Sequence, residues 1–356
     1  MNKRKLIAEI LAAILLMLII LYCYNRIITP KYMYGSSFPT SQTYIDFYNL
    51  EKDSIDVLFL GSSHATCAFS PAELYDKYQI KSYNLSCEEQ NLITSYYWLK
   101  ESLKTQSPQV VVLDCYMLYL FDKESLLNSR TICTRKAFDY MKWSGNKIEA
   151  INDLSFLGEA MEMKTFIFPA LVYHDNWKTP SLNNFEIFSR NEVSMFKGYL
   201  SLEAYGGIDF APVSLSAFDD EAEEPNEIML EYLERIIKLC EEEDIRLILT
   251  STPTMFEDVN QAAYLNKLAA QYDVEFYDYN TAEIYNEIGY DFALDNHDED
   301  HANLTGSIKI TDHLAGKMLN NPSFVLSSGK NELWEKYADE YKAYLNETEV
   351  ESIFGN

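Results

Sequence analysis

The amino-acid sequence predicts an α/β fold, a three-layer sandwich in which a central parallel sheet of about five strands lies between two layers of helices. Short apolar runs alternate with longer helical patterns over much of the chain, which is typical of βαβ units. The strand candidates at 55–60 and 109–114 are apolar enough to be buried on both faces, as strands of parallel sheets are. With 356 residues, 47% of them hydrophobic, the chain is large and apolar enough for such a core.

The chain begins with a predicted transmembrane helix. Residues 6–28 are apolar apart from three polar residues near the ends of the run, and a helix of this length would be roughly 35 Å long, against roughly 30 Å of bilayer hydrocarbon. Basic residues at positions 3–5 favour a cytoplasmic N-terminus and an extracellular remainder. A cleaved signal peptide is the alternative, but the run is long for one and no small-residue cleavage site follows it. We therefore expect a single-pass cell-membrane protein, with residues 1–29 as cytoplasmic tip and anchor.

The elements of the sandwich are predicted to follow a juxtamembrane connector at residues 30–54 and to occupy residues 55–320. Residues 70–73, Ser-Pro-Ala-Glu, have the cap, the first-turn proline and the glutamate of a helix start. Strands are predicted at 55–60, 82–85, 109–114, 246–250 and 274–278, and helices at 90–105, 225–243, 260–272 and from 304 onward. A polar surface helix and tail are predicted for residues 321–356.

One long segment, residues 115–220, breaks this alternation. It is aromatic and rich in methionine, has no regular hydrophobic period and ends at the acidic stretch 219–227, so we expect an irregular insertion or cap. The shorter segment between Asn280 and the last helix of the domain is likewise expected to be irregular.

The charge of the chain excludes one class of partner. Twenty-nine basic and 55 acidic residues give a formal net charge of −26. Such a field repels nucleic acids and anionic lipid headgroups. Nucleic-acid partners are therefore not expected.

The turn after the first predicted strand has the residues of a nucleophilic site. The apolar run ends in Gly61-Ser62-Ser63-His64, and open parallel sheets bind ligands at the carboxyl ends of their strands. A serine hydroxyl needs a histidine base that is itself oriented by a carboxylate. His64 adjoins Ser63 in the sequence and is expected to point elsewhere, so the base must come from another part of the chain.

Asp298 and His301 offer the missing pair, because a carboxylate three residues before a histidine on a turn can accept its Nδ1 hydrogen while Nε2 faces the serine. The sequence places both just before the last helix, at the same edge of the sheet. A metal site built from His297, Asp298, Asp300 and His301 is the alternative, but it leaves the serine turn unexplained. We expect no metal, nucleotide or other cofactor.

Two stretches of the chain resemble blocks of the SGNH (GDSL-type) superfamily of serine esterases and acyltransferases. VLFLGSSHA, residues 57–65, is similar to its first block, and DEDHANLTG, residues 298–306, is similar to its last. The chain looks most like the membrane-anchored envelope branch, similar to the D-alanyl-lipoteichoic acid biosynthesis protein and the alginate O-acetylation proteins. The resemblance covers residues 55–114 and 228–318.

This resemblance implies a flavodoxin-like sandwich and a triad in which Ser63 is the nucleophile, His301 the base and Asp298 the residue that orients the imidazole. The residues it implies for the oxyanion hole and for substrate binding are Gly61, Ser62, Ser86 and Asn303.

Two positions depart from the superfamily pattern. Ser86 stands where a glycine is usual, but a backbone N–H can donate whatever the side chain is. The asparagine that usually follows the third strand is missing, since Asp114, Cys115 and Tyr116 stand there. The envelope branch also tends to lack this asparagine, which favours transfer within a membrane system over free hydrolysis.

The residues and the resemblance together predict an enzyme, an SGNH-type serine esterase or O-acyltransferase. We expect it to move an acyl group, O-acetyl or D-alanyl, on a cell-envelope polysaccharide or teichoic acid outside the cytoplasm. By the resemblance, its partner is a multi-spanning membrane O-acyltransferase that exports the acyl group. Two alternatives stay open: a free carbohydrate esterase that removes acyl groups, and a catalytically inactive module that binds glycan or scaffolds a complex.

Overall fold

A five-stranded, all-parallel sheet forms the centre of the protein, as the sequence predicts. The computed structural model describes residues 3–33, 38–119, 131–179, 182–185, 193–204, 208–212, 224–256, 259–327 and 331–348. The strands are β1 (Val57–Leu60), β2 (Ser82–Asn84), β3 (Val110–Asp114), β4 (Arg246–Ser251) and β5 (Glu275–Asp278). Their order is β2-β1-β3-β4-β5, so the direction of winding reverses between β1 and β3. Sheets of this kind bind ligands at that reversal, at the carboxyl ends of the strands.

Helices cover both faces of the sheet and complete the α/β sandwich. The first five are α1 (Lys3–Ile28), α2 (Thr40–Phe47), α3 (Ser63–Ala68), α4 (Pro71–Tyr78) and α5 (Leu92–Ser102). Four short helices belong to the predicted insertion: α6 (Thr131–Asp139), α7 (Gly145–Leu154), α8 (Met163–Ile167) and α9 (Ala170–Tyr173). The remaining helices are α10 (Glu227–Glu242), α11 (Val259–Tyr272), α12 (Ala282–Ile288), α13 (Phe292–Asp295), α14 (Leu304–Leu319) and α15 (Glu332–Glu347).

The strands bury alternate side chains in two separate cores. Leu58 and Leu60 of β1 pack in one core with Trp98 of α5, and Val57 and Phe59 pack in the other with Leu314 of α14. Successive side chains of a strand point to opposite faces, so a strand that is apolar at every position needs a helical layer on each side. This is the physical reason why the continuous apolar runs predict a three-layer sandwich.

Part of the predicted connector, residues 30–54, belongs to the folded domain. It contains α2, whose Tyr44 stacks on Trp98 with ring centroids 4.2 Å apart and whose Phe47 is buried beside the same ring. The other buried residues of α2 are mostly polar, so the local pattern does not reveal the helix. The chain therefore enters the domain soon after α1.

The predicted insertion is more regular than its sequence suggests. Helices α6 and α7 bury Phe138, Ile151 and Leu154 in the same core as Trp98. Residues 120–130, 180–181, 186–192, 205–207 and 213–220 of the insertion lie outside the described residues, as do residues 219–223 of the acidic stretch. The segment after Asn280, expected to be irregular, contains α12 and α13.

The C-terminal helix was predicted to lie on the surface, but one of its faces is buried. Helix α15 lies close to the predicted range but buries Trp334, Tyr337, Ala338 and Tyr341. These positions recur every three to four residues, so they form one apolar stripe, and the helix packs against α4.

Helix α1 is, within the described part of the chain, the one helix long and apolar enough to cross a membrane. It has 26 residues and a mean hydropathy of 2.8, and its apolar side chains are exposed over most of its length. Its last residue, Ile28, is buried against the domain. The prediction of a possible membrane-spanning helix is thus confirmed, while its orientation stays a prediction.

Candidate active site

The turn between β1 and α3 places Ser63 at the carboxyl edge of the sheet. Strand β1 ends at Leu60, Gly61 adopts a φ of +148°, and Ser63 is the first residue of α3. A Cβ atom on Gly61 would lie 2.8 Å from the Cβ atoms of both Ala65 and Asp114. The turn therefore needs glycine for its backbone conformation and for the space between α3 and β3.

Ser62 holds this turn in place rather than facing a ligand. It is the N-cap of α3, and its Oγ accepts the N–H of His64 at 3.3 Å. Its carbonyl accepts both the N–H and the hydroxyl of Thr66, each at 3.1 Å. Because Ser62 is buried and bonded in this way, it and Gly61 shape the turn, while their expected contact with substrate stays a prediction.

Ser63, His301 and Asp298 meet in one hydrogen-bonded series. His301 Nε2 lies 2.9 Å from Ser63 Oγ, although the two residues are 238 positions apart. His301 Nδ1 lies 2.9 and 3.0 Å from the two carboxylate oxygens of Asp298. The imidazole is therefore bonded to a carboxylate on one side and to a hydroxyl on the other.

The charge of Asp298 is stabilised by its surroundings. Burial acts to raise the pKa of this carboxyl, but hydrogen bonds from the His301 ring and from the N–H groups of Asp300 and His301 outweigh it and hold the pKa at about 2. Both N–H groups donate to Asp298 Oδ1 at 2.8 Å. Asp298 is therefore ionised at any physiological pH and favours a proton on the facing Nδ1 atom.

Asn303 caps a helix near the loop that carries His301. Its Oδ1 accepts the N–H groups of Thr305 and Gly306 at 2.9 and 3.1 Å, and its Nδ2 donates to the carbonyls of Leu294 and Asn296. These bonds use both ends of the buried side-chain amide. Asn303 thus caps α14 and fixes the loop that carries His301, while its expected oxyanion or substrate contact stays a prediction.

Ser86 can contribute only its backbone. Its hydroxyl is fully buried, donates to Asn84 Oδ1 and lies 2.8 Å from the hydroxyl of Thr66. Thr66 belongs to α3, so this contact holds the segment after β2 against the helix that begins with Ser63.

His64 belongs to the wall of this site, which the sequence argument missed. Its ring stacks on Tyr116 with centroids 3.4 Å apart, and its centroid lies 5.3 Å from that of His301. Its Nδ1 lies 3.0 Å from the hydroxyl of Thr252. Burial and the neighbouring His301 hold the pKa of His64 well below its ordinary value, so the ring is neutral. The available signal was that Tyr116 and Thr252 directly follow β3 and β4, whose carboxyl ends meet at this edge.

Two further carboxyl groups lie beside the triad in different settings. Asp300 Oδ1 accepts the hydroxyls of Tyr116 and Thr254 at 3.1 and 2.8 Å. Asp114, at the end of β3, is fully buried, and burial raises its pKa to about 7 although two backbone N–H groups donate to it. Asp114 is thus not a permanent anion at neutral pH.

The metal alternative finds no ligand set in the described ranges. No group of three or more His, Cys, Asp or Glu side chains there is placed to hold an ion. His297 Nδ1 lies 2.6 Å from the carbonyl of Glu203, and Asp298 and His301 face each other.

Phe38 adds a wall from the N-terminal part of the chain. Its ring centroid lies 5.8 Å from that of His301. The site is thus contacted by a residue only ten positions after the end of α1.

Comparison with protein-family models returns no match, and neither does comparison with curated proteins. Among solved structures, the chain is similar to a gut microbial diltiazem-metabolizing enzyme, with a TM-score of 0.33 and 12% sequence identity. The alignment covers 76% of this chain and 49% of that protein, so the chain spans about half of its length. That protein is an enzyme, but so distant a likeness carries no argument about the reaction here.

Proposed function

We propose that this protein is a membrane-anchored serine acyltransferase of the SGNH type that acts on a cell-envelope glycopolymer outside the cytoplasm. The observation that carries the proposal is the hydrogen-bonded series from Ser63 Oγ through the His301 ring to the Asp298 carboxylate, with contacts of 2.9 to 3.0 Å. This is the relation that nucleophilic catalysis by serine requires. The same residues stand in the two stretches that resemble the superfamily.

In the proposed first step, Ser63 Oγ attacks the carbonyl carbon of an acyl donor while His301 Nε2 accepts the hydroxyl proton. The bond from the acyl carbon to the donor's leaving group breaks, and that group takes the proton from His301. Asp298 keeps the imidazole in the required tautomer and stabilises its positive charge. The products are the free leaving group and an ester on Ser63.

In the second step, a hydroxyl of the polymer attacks the ester carbon and loses its proton to His301. The ester bond to Ser63 breaks, and Ser63 Oγ takes the proton back. An acetyl or D-alanyl group has then moved to the polymer, and the enzyme is restored.

We assign the negative oxygen of each tetrahedral intermediate to the N–H groups of Ser63 and Ser86. Ser63 is the first residue of α3, and the first N–H groups of a helix have no intrahelical acceptor. The Ser86 backbone is held beside α3 through the contact between its hydroxyl and Thr66. Donors of this kind act on the charge that develops in the transition state.

The path of the chain supports action close to a membrane. Phe38 contacts His301 and follows Ile28, the last residue of α1, by ten residues. Ten residues extend over at most about 36 Å. With α1 in the bilayer and the domain outside, Ser63 stands where an acyl group delivered by a multi-spanning membrane O-acyltransferase would emerge.

A serine-reactive fluorophosphonate tests the nucleophile directly. The full-length protein in detergent is labelled and the modified peptide is identified by mass spectrometry. We expect one label, on Ser63, which Ser63→Ala abolishes and His301→Ala slows by about 10³-fold or more. His297→Ala is the matched control, because it removes a histidine from the same loop without touching Ser63.

Labelling elsewhere, or equal labelling of the two histidine variants, would contradict the proposal. A second assay separates transfer from hydrolysis. The acyl-enzyme is formed with a labelled acyl donor and given a polymer acceptor in water, and the labelled acyl group is then measured on the polymer and as free acid. The proposal expects more product on the polymer than as free acid, and the reverse ratio indicates a free esterase.

A further inference from the structure

Exposed apolar side chains outside α1 concentrate in one segment, residues 131–185. In the described part of the chain, nine of the fifteen exposed large apolar residues outside α1 belong to it. They are Ile132, Trp143, Ile148, Ile167, Phe168, Leu171, Trp177, Leu182 and Phe185. The segment has six basic and six acidic residues, so the whole acidic excess of the chain lies elsewhere. Apolar exposure this dense marks contact with a partner or a membrane.

This segment surrounds the end of α1. Helix α9 and two 3₁₀ turns after it contact α1. The side-chain amides of Asn176 and Asn184 donate to the carbonyls of Ile28 and Ile27 at 2.9 and 2.7 Å. Four of the exposed apolar side chains therefore lie in elements that contact α1: Leu171, Trp177, Leu182 and Phe185.

A cavity of about 560 Å³ lies at the same junction. Its α1 wall consists of Tyr22, Asn25, Arg26 and Thr29, which share one helix face because they are three or four residues apart. About 20 residues of helix cross the hydrocarbon, so a run that begins at Leu6 places this face at the depth of the outer headgroups. The cavity therefore opens where a phospholipid has its polar part.

The cavity is basic in a strongly acidic chain. Arg26, Lys142 and Lys147 line it, together with Asp139. Asp139 is paired with Arg135 at 3.1 Å. Burial lowers the pKa of Lys147 to about 8, so this lysine is mostly protonated at neutral pH. An anion that enters would meet three cations and one carboxylate that is already neutralised.

The cavity also offers a hydrogen-bond acceptor. Asn25 lines it, and the Oδ1 atom of Asn25 is buried with no hydrogen-bond partner among the described residues. A buried acceptor without a donor is costly. A headgroup that carries hydroxyls beside its phosphate would supply that donor.

We propose that this cavity binds the headgroup of an anionic phospholipid of the outer leaflet, whose acyl chains lie along α1 and the apolar side chains of residues 131–185. The inference rests on the membrane anchoring proposed above. It goes beyond that proposal because it assigns to the insertion a lipid site distinct from Ser63. The net charge of −26 predicts repulsion from anionic lipids, and the cavity is the local exception.

Native mass spectrometry tests this site. The full-length protein in a neutral detergent is titrated with phosphatidylglycerol and with phosphatidylcholine of the same acyl chains. We expect phosphatidylglycerol to bind about tenfold more tightly, and Lys142→Glu to remove most of that preference. Lys238→Glu changes another exposed lysine, on α10, and should leave the preference unchanged.

If the natural protein binds the two lipids equally tightly, the proposal is overturned whatever the variants show. Equal effects of Lys142→Glu and Lys238→Glu, with circular dichroism showing both folded, would also overturn it. Displacement of the lipid by millimolar glycerol phosphate would assign the cavity to a soluble phosphate ester instead. Extraction of the protein from membranes by alkaline carbonate would overturn the anchoring proposal separately, and fluorophosphonate labelling reports on Ser63 independently of both.

Discussion

The carboxyl edge of the sheet and the segment 131–185 differ in what they bury. At the sheet edge, polar groups are partly buried and paired: Asp298, His301 and Asp300 are bonded to one another or to nearby hydroxyl and N–H groups. In the segment 131–185, apolar side chains such as Trp177 lie outside. A buried polar network holds groups in one geometry, whereas an exposed apolar surface requires an apolar environment. On the two proposals above, reaction geometry and membrane contact are built from separate parts of this chain.

The largest expected effect comes from a substitution among the polar groups at the sheet edge. Asp298→Asn replaces an acceptor-only group with an amide and leaves His301 Nδ1 without its anionic partner. We expect the rate of Ser63 labelling to fall by about 10³ to 10⁴-fold, as measured by stopped-time fluorophosphonate labelling. Glu299→Gln, an exposed acid in the same turn, should stay within about twofold, and a similar rate for both variants would refute the triad.

Gly61→Ala should destabilise the protein, because the added Cβ strains and crowds the turn between β1 and α3. The φ of +148° and the two Cβ atoms at 2.8 Å predict a loss of about 3 kcal/mol in the free energy of unfolding. Gly145→Ala is the matched control, because a Cβ there meets nothing within 4 Å. Denaturant titration of both variants checks this, and equal stabilities would contradict the account of the turn.

Asp114→Asn should remove a pH dependence from the free energy of unfolding. The folded-state pKa of about 7 lies above the ordinary value of 3.8, so folding takes up a proton between these values. The stability that Asp114 contributes is therefore present at low pH and lost as pH rises through about 7. We expect the unfolding free energy of the natural protein, relative to the Asn variant, to be about 2–3 kcal/mol greater at pH 5 than at pH 8. A difference that does not change with pH would contradict a buried, protonated carboxyl.

The smallest effect on stability is expected for the exposed tryptophans of the segment 131–185. The chain has four tryptophans: Trp98 and Trp334 are buried in the domain, and Trp143 and Trp177 are exposed beside α1. Replacing the exposed pair with Phe should change stability by only about 0.5 kcal/mol or less. In bilayers with brominated acyl chains, the same change should remove the quenchable part of the tryptophan fluorescence. Quenching that persists in the double variant would place this surface away from lipid.

Local sequence patterns predict the sheet well because β1 is apolar at every position, β3 at every position but its last, and β4 over its central positions. All five strands lie within two residues of the predicted ranges. Helix α2 could not be predicted in this way, since its burial depends on Trp98, which is distant in the sequence. The helices of the insertion are short, and a short helix is stabilised by its tertiary contacts rather than by its own period.

The sequence identifies the residues that meet at the site better than it identifies their surroundings. Ser63, Asp298 and His301 were found from residue type and position, and their catalytic roles stay predictions. The capping role of Asn303 was not predicted, although an asparagine directly before a helical run is a common N-cap. His64 was set aside because its contacts come from the ends of other strands, which only the folded sheet brings together.

On the proposed function, the contact between Phe38 and His301 has a consequence for the product. With α1 held in a bilayer, a tether of ten residues confines the reactive serine to a thin layer above the membrane. A polymer chain that grows outward would be modified only while its segments pass through that layer. The spacing of acyl groups along a finished polymer would then record how fast it was extruded relative to the turnover of the enzyme.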